Sequence, residues 1–136
     1  MKYSKNKLFI EKVSVLNIAN KFQTPAYCYS YSKLKENINN FKKNFKSFSP
    51  LVCFSVKSNT NVNIIKEIKR FGLGADVVSK GELMLALKAG VDPSKIVFSG
   101  VGKTNEEISP RRTCHASSGA HNWPRDMGPL LFLHRI

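Results

Sequence analysis

Three short apolar segments alternate with two amphipathic segments between residues 51 and 100, and this alternation constrains the fold more than any other feature. The apolar segments are typical of strands and cover residues 51–57 (LVCFSVK), 74–79 (GADVVS) and 95–100 (KIVFSG). Strands joined through intervening helices pair in parallel, because each connection crosses over the sheet. The pattern predicts an α/β fold, and an open doubly wound sheet and a (β/α)8 barrel both satisfy it.

Helix signals separate the predicted strands. Asn61 is the predicted N-cap of the helix NVNIIKEIKR, and Gly72 follows its end. Ser79 and Glu82 form a capping box that opens the next helix, which closes at Gly90. An earlier amphipathic helix is predicted because apolar residues recur every four or three positions, at Leu34, Ile38, Phe41, Phe45 and Phe48. The segment PAYCYS before that helix is predicted to be an additional strand.

Lys57 lies at the carboxyl end of the first predicted strand. Strand alternation places Val52 and Phe54 on one face and Lys57 on the other. In a barrel, Lys57 and Asp76 of the next strand would face the same mouth, where barrel enzymes place their chemistry. An amine among apolar side chains loses its proton more readily and can then attack an aldehyde. On the pattern alone, a lysine that extends from a strand end into water is the simpler interpretation.

The composition changes abruptly near residue 108. Every lysine lies at or before Lys103, whereas every histidine and Trp123 follow residue 109. Thr104 and Glu107 form a capping box, but Pro110 interrupts the helix that it would open. The sequence therefore predicts a boundary at this point.

We interpret residues 1–108 as the organised part and residues 109–136 as a frameshifted or foreign tail. The tail shows no sustained helical or strand period and is predicted to be disordered. A mobile extension of a natural domain is the alternative interpretation.

The formal net charge of +13 does not by itself indicate nucleic-acid binding. The lysines are scattered through every predicted element rather than gathered on one face or interleaved with aromatic residues. No apolar run approaches a membrane span, and the N-terminus lacks the apolar stretch of a secretory signal. The sequence predicts a cytoplasmic protein with neither a nucleic-acid nor a membrane partner.

The cysteines and histidines do not form a recognisable set. Cys28 and Cys53 lie in apolar stretches, where a reduced cysteine behaves as a small hydrophobe. Cys114, His115 and His121 lack a second pair of ligands, so no metal site is predicted.

Four segments, taken in order, resemble the N-terminal part of the diaminopimelate decarboxylase family. They are TPAYCYS, FSVKSNTN, GLGADVVSKGELMLALKAGVDPSKIVFSG and GKT, and the resemblance covers about residues 20–108. The element [AS]-V-K-[AS]-N is shared across proteins of this fold. The element GLGADVVSKGEL is more specific to this family. The resemblance implies a (β/α)8 barrel of the alanine-racemase N-terminal type and the conversion of meso-diaminopimelate to L-lysine and CO2, in lysine biosynthesis.

The resemblance also implies a cofactor and its residues. Lys57 would hold pyridoxal 5'-phosphate as a covalent Schiff base, and an amino-acid substrate would displace it. Asp76 matches a family carboxylate near this lysine and is a candidate partner for its charged form. The full-length family forms homodimers.

Much of such an enzyme has no counterpart in this sequence. The family's ring-stacking histidine, glycine-rich phosphate turn, glutamate on the pyridine nitrogen and C-terminal β domain match no motif after residue 108. About three of eight βα units are present, so we expect a truncated chain that is inactive alone. The alternatives are a fragment of an ornithine or arginine decarboxylase or alanine racemase, or a non-catalytic pyridoxal-phosphate-binding protein.

Overall fold

The computed structural model describes residues 1–99, 115–116 and 130–133. The chain divides into two compact units, Met1–Asn40 and Phe41–Ile136. The predicted helix from Thr104 and its interruption at Pro110 lie outside the described residues.

The first unit begins with a small antiparallel sheet. Its elements, in chain order, are β1 (Lys2–Ser4), β2 (Lys7–Ile10), β3 (Val13–Ser14) and helix α1 (Val15–Phe22). Lys5 and Asn6 connect β1 to β2 with positive φ angles of 48° and 57°. Two such residues form the tight hairpin turn whose twist matches antiparallel strands.

The predicted long helix is present as α2 (Tyr31–Asn44), and a 3-10 helix, Lys46–Phe48, follows it. Glu11 caps its start, because the Glu11 carboxylate accepts hydrogen bonds from the Ser32 backbone amide at 2.7 Å and the Ser30 hydroxyl at 2.8 Å. These bonds, that of the Ser32 amide first, lower the pKa of Glu11.

The strand predicted at PAYCYS is wrong. Residues 25–30 form no strand and belong to neither sheet. The period-two pattern of aromatic residues at Tyr27 and Tyr29 indicates an extended backbone, but a strand also needs a hydrogen-bonded neighbour. Tyr27 is 92% exposed, so the pattern does not mark a buried face.

The second unit contains a five-stranded parallel sheet. Its strands are β4 (Leu51–Ser55), β5 (Gly74–Val77), β6 (Ile96–Phe98), β7 (His115–Ala116) and β8 (Leu130–Leu133), in the order β7-β6-β5-β4-β8. Helix α3 (Val62–Arg70) connects β4 to β5, and α4 (Lys80–Lys88) connects β5 to β6. The α/β class and the parallel pairing of the three predicted strands are confirmed.

The predicted helix caps are confirmed. The Asn61 side chain accepts a hydrogen bond from the Asn63 amide at 3.0 Å, and the Ser79 hydroxyl accepts one from the Glu82 amide at 3.2 Å. The Glu82 carboxylate returns to the Val78 amide at 2.9 Å, one residue before the position that a standard capping box uses. Positive φ angles of 79° and 81° occur at the glycines that follow the helices, Gly72 and Gly90.

Alternate residues of the parallel strands form two distinct faces. The register pairs Phe54 with Ala75 and Ala75 with Ile96, within an apolar face. The other face carries Ser55 opposite Asp76, with Cys53 opposite the small Gly74. The buried core of the unit includes Val52, Phe54, Val56, Ile65, Ile68, Leu73, Ala75, Val77, Leu83, Ala86, Ile96, Val97 and Phe98.

Two strands lie in the segment for which the sequence predicted neither strand nor helix. β7 pairs with β6, and β8 pairs with β4, both in parallel. Strand formation there depends on distant partners, which a search for local periodicity cannot detect. The prediction is therefore wrong for residues 115–116 and 130–133, while the boundary at residue 108 and the origin of the tail stay predictions.

The helices are short. α2 has 14 residues and is the longest helix that the structure describes. A membrane-spanning helix needs about 20 apolar residues. Within the described ranges, no helix has the length and apolar character to cross a membrane.

Replacement of Gly74 by alanine should destabilise the second unit. A Cβ atom at Gly74 would overlap the Lys95 carbonyl oxygen and lie 2.9 Å from Cys53 Sγ, so the backbone must shift. We expect Gly74→Ala to lower the free energy of unfolding in urea by about 2 kcal/mol or more. Gly81→Ala is the control, because its new Cβ meets nothing closer than 3.9 Å and alanine favours the helix. Equal stabilities of the two variants would contradict the prediction.

Candidate functional site

Lys57 follows the carboxyl end of β4 rather than lying within the strand. The strand ends at Ser55, and the next three residues form a 3-10 turn, Val56–Ser58. Lys57 is exposed, whereas Val56 is fully buried. The prediction that the strand continues as far as Lys57 is wrong, because the turn replaces the strand's two-residue alternation before Lys57 is reached. The exposed side chain agrees with the simpler interpretation, a lysine that extends from a strand end into water.

The backbone of this turn is held on both sides of Lys57. The Ser58 hydroxyl donates a hydrogen bond to the Ser55 carbonyl at 2.7 Å, and the Asn59 amide donates to the Val56 carbonyl at 3.0 Å. The buried Val56 side chain anchors the turn in the core. The turn therefore fixes the Lys57 backbone while its side chain extends into water.

Asp76 is a buried carboxylate on the neighbouring strand. It lies in β5, is 4% exposed, and pairs in register with Ser55 of β4 and Val97 of β6. The Ser55 hydroxyl donates to Asp76 Oδ2 at 3.1 Å, and the Ser99 hydroxyl donates to Asp76 Oδ1. Hydroxyl donors compensate the carboxylate for the water that it loses on burial.

The structure brings Asp76 close to the Lys57 turn through Ser55. Ser55 is bound at both ends, since its hydroxyl contacts Asp76 and its carbonyl accepts from Ser58. Among the described residues, no ion pair joins Asp76 to Lys57. Neither Ser55 nor Ser99 was assigned a role from the sequence, although strand alternation places Ser55 on the same face as Lys57 and Ser99 follows the third strand.

Cys53 is the second titratable group on this face. Burial and the nearby charge of Asp76 raise the pKa of the Cys53 thiol to about 12. Its Sγ atom donates a weak hydrogen bond to the Lys95 carbonyl at 3.8 Å. Because a thiol reacts as the thiolate, Cys53 is a structural residue and not a nucleophile at neutral pH.

The part of the chain that the structure describes contains no cluster of acidic, cysteine and histidine side chains suited to a metal ion. Cys114 and His121, which the sequence analysis considered as ligands, lie outside the described residues. His115 is described only by its backbone in β7.

The donor chemistry of Lys57 fits a cofactor that carries an aldehyde. A primary amine can capture an aldehyde covalently when solvent and the ligand can reach it. Lys57 is exposed and has no ion-pair partner within residues 1–99, so its amine is accessible to such a group. The carboxyl edge of a parallel sheet is also where α/β proteins bind their ligands.

Removal of the Ser55 hydroxyl should weaken the second unit. Ser55→Ala deletes one of the two hydroxyl donors to the buried Asp76 carboxylate, and we expect a loss of about 1 kcal/mol in the free energy of unfolding. Ser47→Ala, on the exposed 3-10 helix, is the matched control and should change stability by less than about 0.5 kcal/mol. Chemical denaturation of the three proteins makes the comparison, and a Ser55→Ala effect no larger than that of Ser47→Ala would contradict it.

Cys53 should resist alkylation in the folded chain. With a pKa of about 12, its thiolate fraction at pH 8 is very small, and the side chain is fully buried. We expect iodoacetamide at pH 8 to modify the exposed Cys28 and to spare Cys53 until urea is added. Peptide mapping by mass spectrometry gives both rates. Modification of Cys53 as fast as Cys28 in the absence of urea would show that this face is open to solvent.

Residues 31–120 match the family model described as "Pyridoxal-dependent decarboxylase, pyridoxal binding domain". The match includes the Lys57 turn, Asp76 and the three predicted parallel strands. It extends beyond residue 108, where the composition of the sequence changes.

Individual proteins show the same relationship. The diaminopimelate decarboxylase of Aquifex aeolicus is 44% identical over 109 residues, which are 80% of this chain and 26% of that protein. The diaminopimelate decarboxylase of Neisseria meningitidis serogroup A is 48% identical over 101 residues, 74% of this chain and 25% of that protein. The chain thus spans about a quarter of the length of the curated relatives it matches.

A solved structure extends the likeness to three dimensions. The crystal structure of AQ1208 from Aquifex aeolicus aligns with a TM-score of 0.76 at 44% identity, over 81% of this chain and 27% of that one. The family match over residues 31–120 and the similarity to these individual proteins indicate the same family. The chain belongs to the pyridoxal-dependent decarboxylases and carries part of their pyridoxal-binding domain.

Proposed function

We propose that this chain is the N-terminal part of a diaminopimelate decarboxylase and that Lys57 binds pyridoxal 5'-phosphate covalently. The observation that carries the proposal is the exposed Lys57 amine, fixed by its turn at the carboxyl end of β4 within the family match. The reaction of the complete enzyme would convert meso-diaminopimelate to L-lysine and CO2.

Sequence similarity favours this reaction over other decarboxylations and over racemisation. The relatives at 44% and 48% identity are diaminopimelate decarboxylases. A crystal structure of diaminopimelate decarboxylase from M. jannaschii, described as a co-complex with L-lysine, aligns at 36% identity with a TM-score of 0.75. An L-lysine complex is consistent with an amino-acid substrate of the same class for the complete protein.

The described residues have distinct roles in this proposal. The Lys57 amine would attach to the cofactor aldehyde and become free again when a substrate amine takes its place. Asp76, buried on the next strand, would contribute to cofactor binding beside the Lys57 turn. Once bound, pyridoxal phosphate supplies the electron sink for the carbanion that loss of CO2 leaves.

We further propose that β4, β5 and β6 with their helices are about three of the eight units of a (β/α)8 barrel. Such a barrel needs about 250 residues, whereas this chain has 136 and spans about a quarter of its relatives. The groups that would anchor the cofactor phosphate and its ring nitrogen would come from later units. The chain alone would therefore be inactive, and the homodimer and the cytoplasmic location belong to the proposal for the complete protein.

Covalent trapping tests the role of Lys57. The purified chain is mixed with pyridoxal phosphate and reduced with borohydride, and the modified lysines are mapped by mass spectrometry. We expect preferential labelling of Lys57 over the other lysines, and Lys57→Arg should abolish that peak. Lys66→Arg is the matched control, because Lys66 is exposed on α3 and arginine keeps its charge.

The outcome separates attachment from catalysis. Even labelling across all lysines, or a pattern that Lys57→Arg leaves unchanged, would contradict the assignment of Lys57. A decarboxylation assay on the same preparation should give no CO2 from meso-diaminopimelate, and activity would contradict the proposal that the chain is inactive alone.

A further inference from the structure

The outer edge of β4 is covered by a strand from the end of the chain. All four residues of β8 pair in parallel with β4, with Leu51 opposite Leu130 and Phe54 opposite Leu133. On its other side β4 pairs with β5. As a result, β4 is an interior strand with hydrogen-bonded neighbours on both sides.

β8 lies outside the part of the chain that matches the family. The match ends at residue 120, whereas β8 covers Leu130–Leu133. β4, β5 and β6 all lie inside the match. The covering strand is therefore supplied by a segment that the family similarity does not account for.

The pairing with β8 gives β4 a second neighbour. In a closed barrel every strand has two neighbours, whereas without β8 the described strands would leave β4 with one open edge. An open edge with apolar side chains invites pairing with another chain. β4 has that character, because Val52 and Phe54 are buried apolar residues.

Leu133 of β8 continues the apolar face of the sheet. Leu133 lies beside Phe54, which in turn lies beside Ala75 and Ile96 on the next strands. Leu133 is only 8% exposed, so its position closes the apolar row at the β4 edge. Burial of the Leu133 side chain adds to the stability that the backbone hydrogen bonds between β8 and β4 provide.

We propose that the outer edge of β4 is a docking surface for a parallel apolar strand and that residues 130–133 occupy it. This segment substitutes for the strand that the rest of a longer decarboxylase would place there, and in that respect the inference rests on the proposed function. With the tail docked, the edge is closed to a second copy of the chain. When the tail is displaced, the same edge pairs with another copy.

Hydrogen exchange of the intact 136-residue chain tests the docking directly. We expect the amides within residues 130–133 that bond to β4 to be protected, as are those of β4 and β5 in the same experiment. Exchange of residues 130–133 at the rate of an unstructured peptide would overturn the proposal, whatever the state of the other strands. The lysine-labelling experiment reads a different residue, so failure of one proposal is distinguishable from failure of the other.

A substitution tests what the docked strand does. Leu133→Asp introduces a charge at a buried position and should lower the protection of residues 130–133 on the order of tenfold or more. The chain should also begin to self-associate in sedimentation, because the β4 edge opens. Leu16→Asp makes the same chemical change at a position that is 60% exposed. This control should leave both the protection of residues 130–133 and the sedimentation behaviour as in the parent chain. A Leu133→Asp chain that stays monomeric with full protection overturns the inference.

Discussion

The hydrogen bonds that the Ser55 and Ser99 hydroxyls donate to the buried Asp76 carboxylate are the interaction on which the carboxyl edge of the sheet depends. They connect β4, β5 and the residue that follows β6 at the carboxyl end of the sheet. A carboxylate that is 4% exposed is costly to desolvate, and these two donors offset part of the cost. Ser55 is also the last residue of β4, so this bond lies where the strand ends and the Lys57 turn begins.

This arrangement separates the charge of Asp76 from that of Lys57. A buried ion pair would require the ammonium to lose its water, which its attraction to a carboxylate often fails to repay. Here the carboxylate is satisfied by hydroxyl groups inside the sheet, and the ammonium remains exposed beyond it. An exposed amine on a fixed backbone is available to an incoming aldehyde, whereas an amine held in a buried ion pair would first have to be released.

Local signals in the sequence were sufficient for the α/β class, the parallel order of three strands and the caps at Asn61 and Ser79, because strand periodicity and capping chemistry act over a few residues. The strand predicted to reach Lys57 ends two residues earlier, at Ser55. Alternation does not reveal that a buried Val56 and two hydrogen bonds convert the strand into a turn. The pairing of β8 with β4 was also beyond reach, since it joins residues far apart in the sequence.

The hydrogen bonds within the Lys57 turn are local, since they join residues three apart, Ser58 to Ser55 and Asn59 to Val56. These two bonds therefore require no residue from a later part of the chain. The remaining contacts to a cofactor would be different under the proposed function, because in a barrel they would come from strands that follow much later. A chain that spans about a quarter of its relatives would then hold the proposed attachment lysine, while the groups that turn attachment into decarboxylation would come from those later strands.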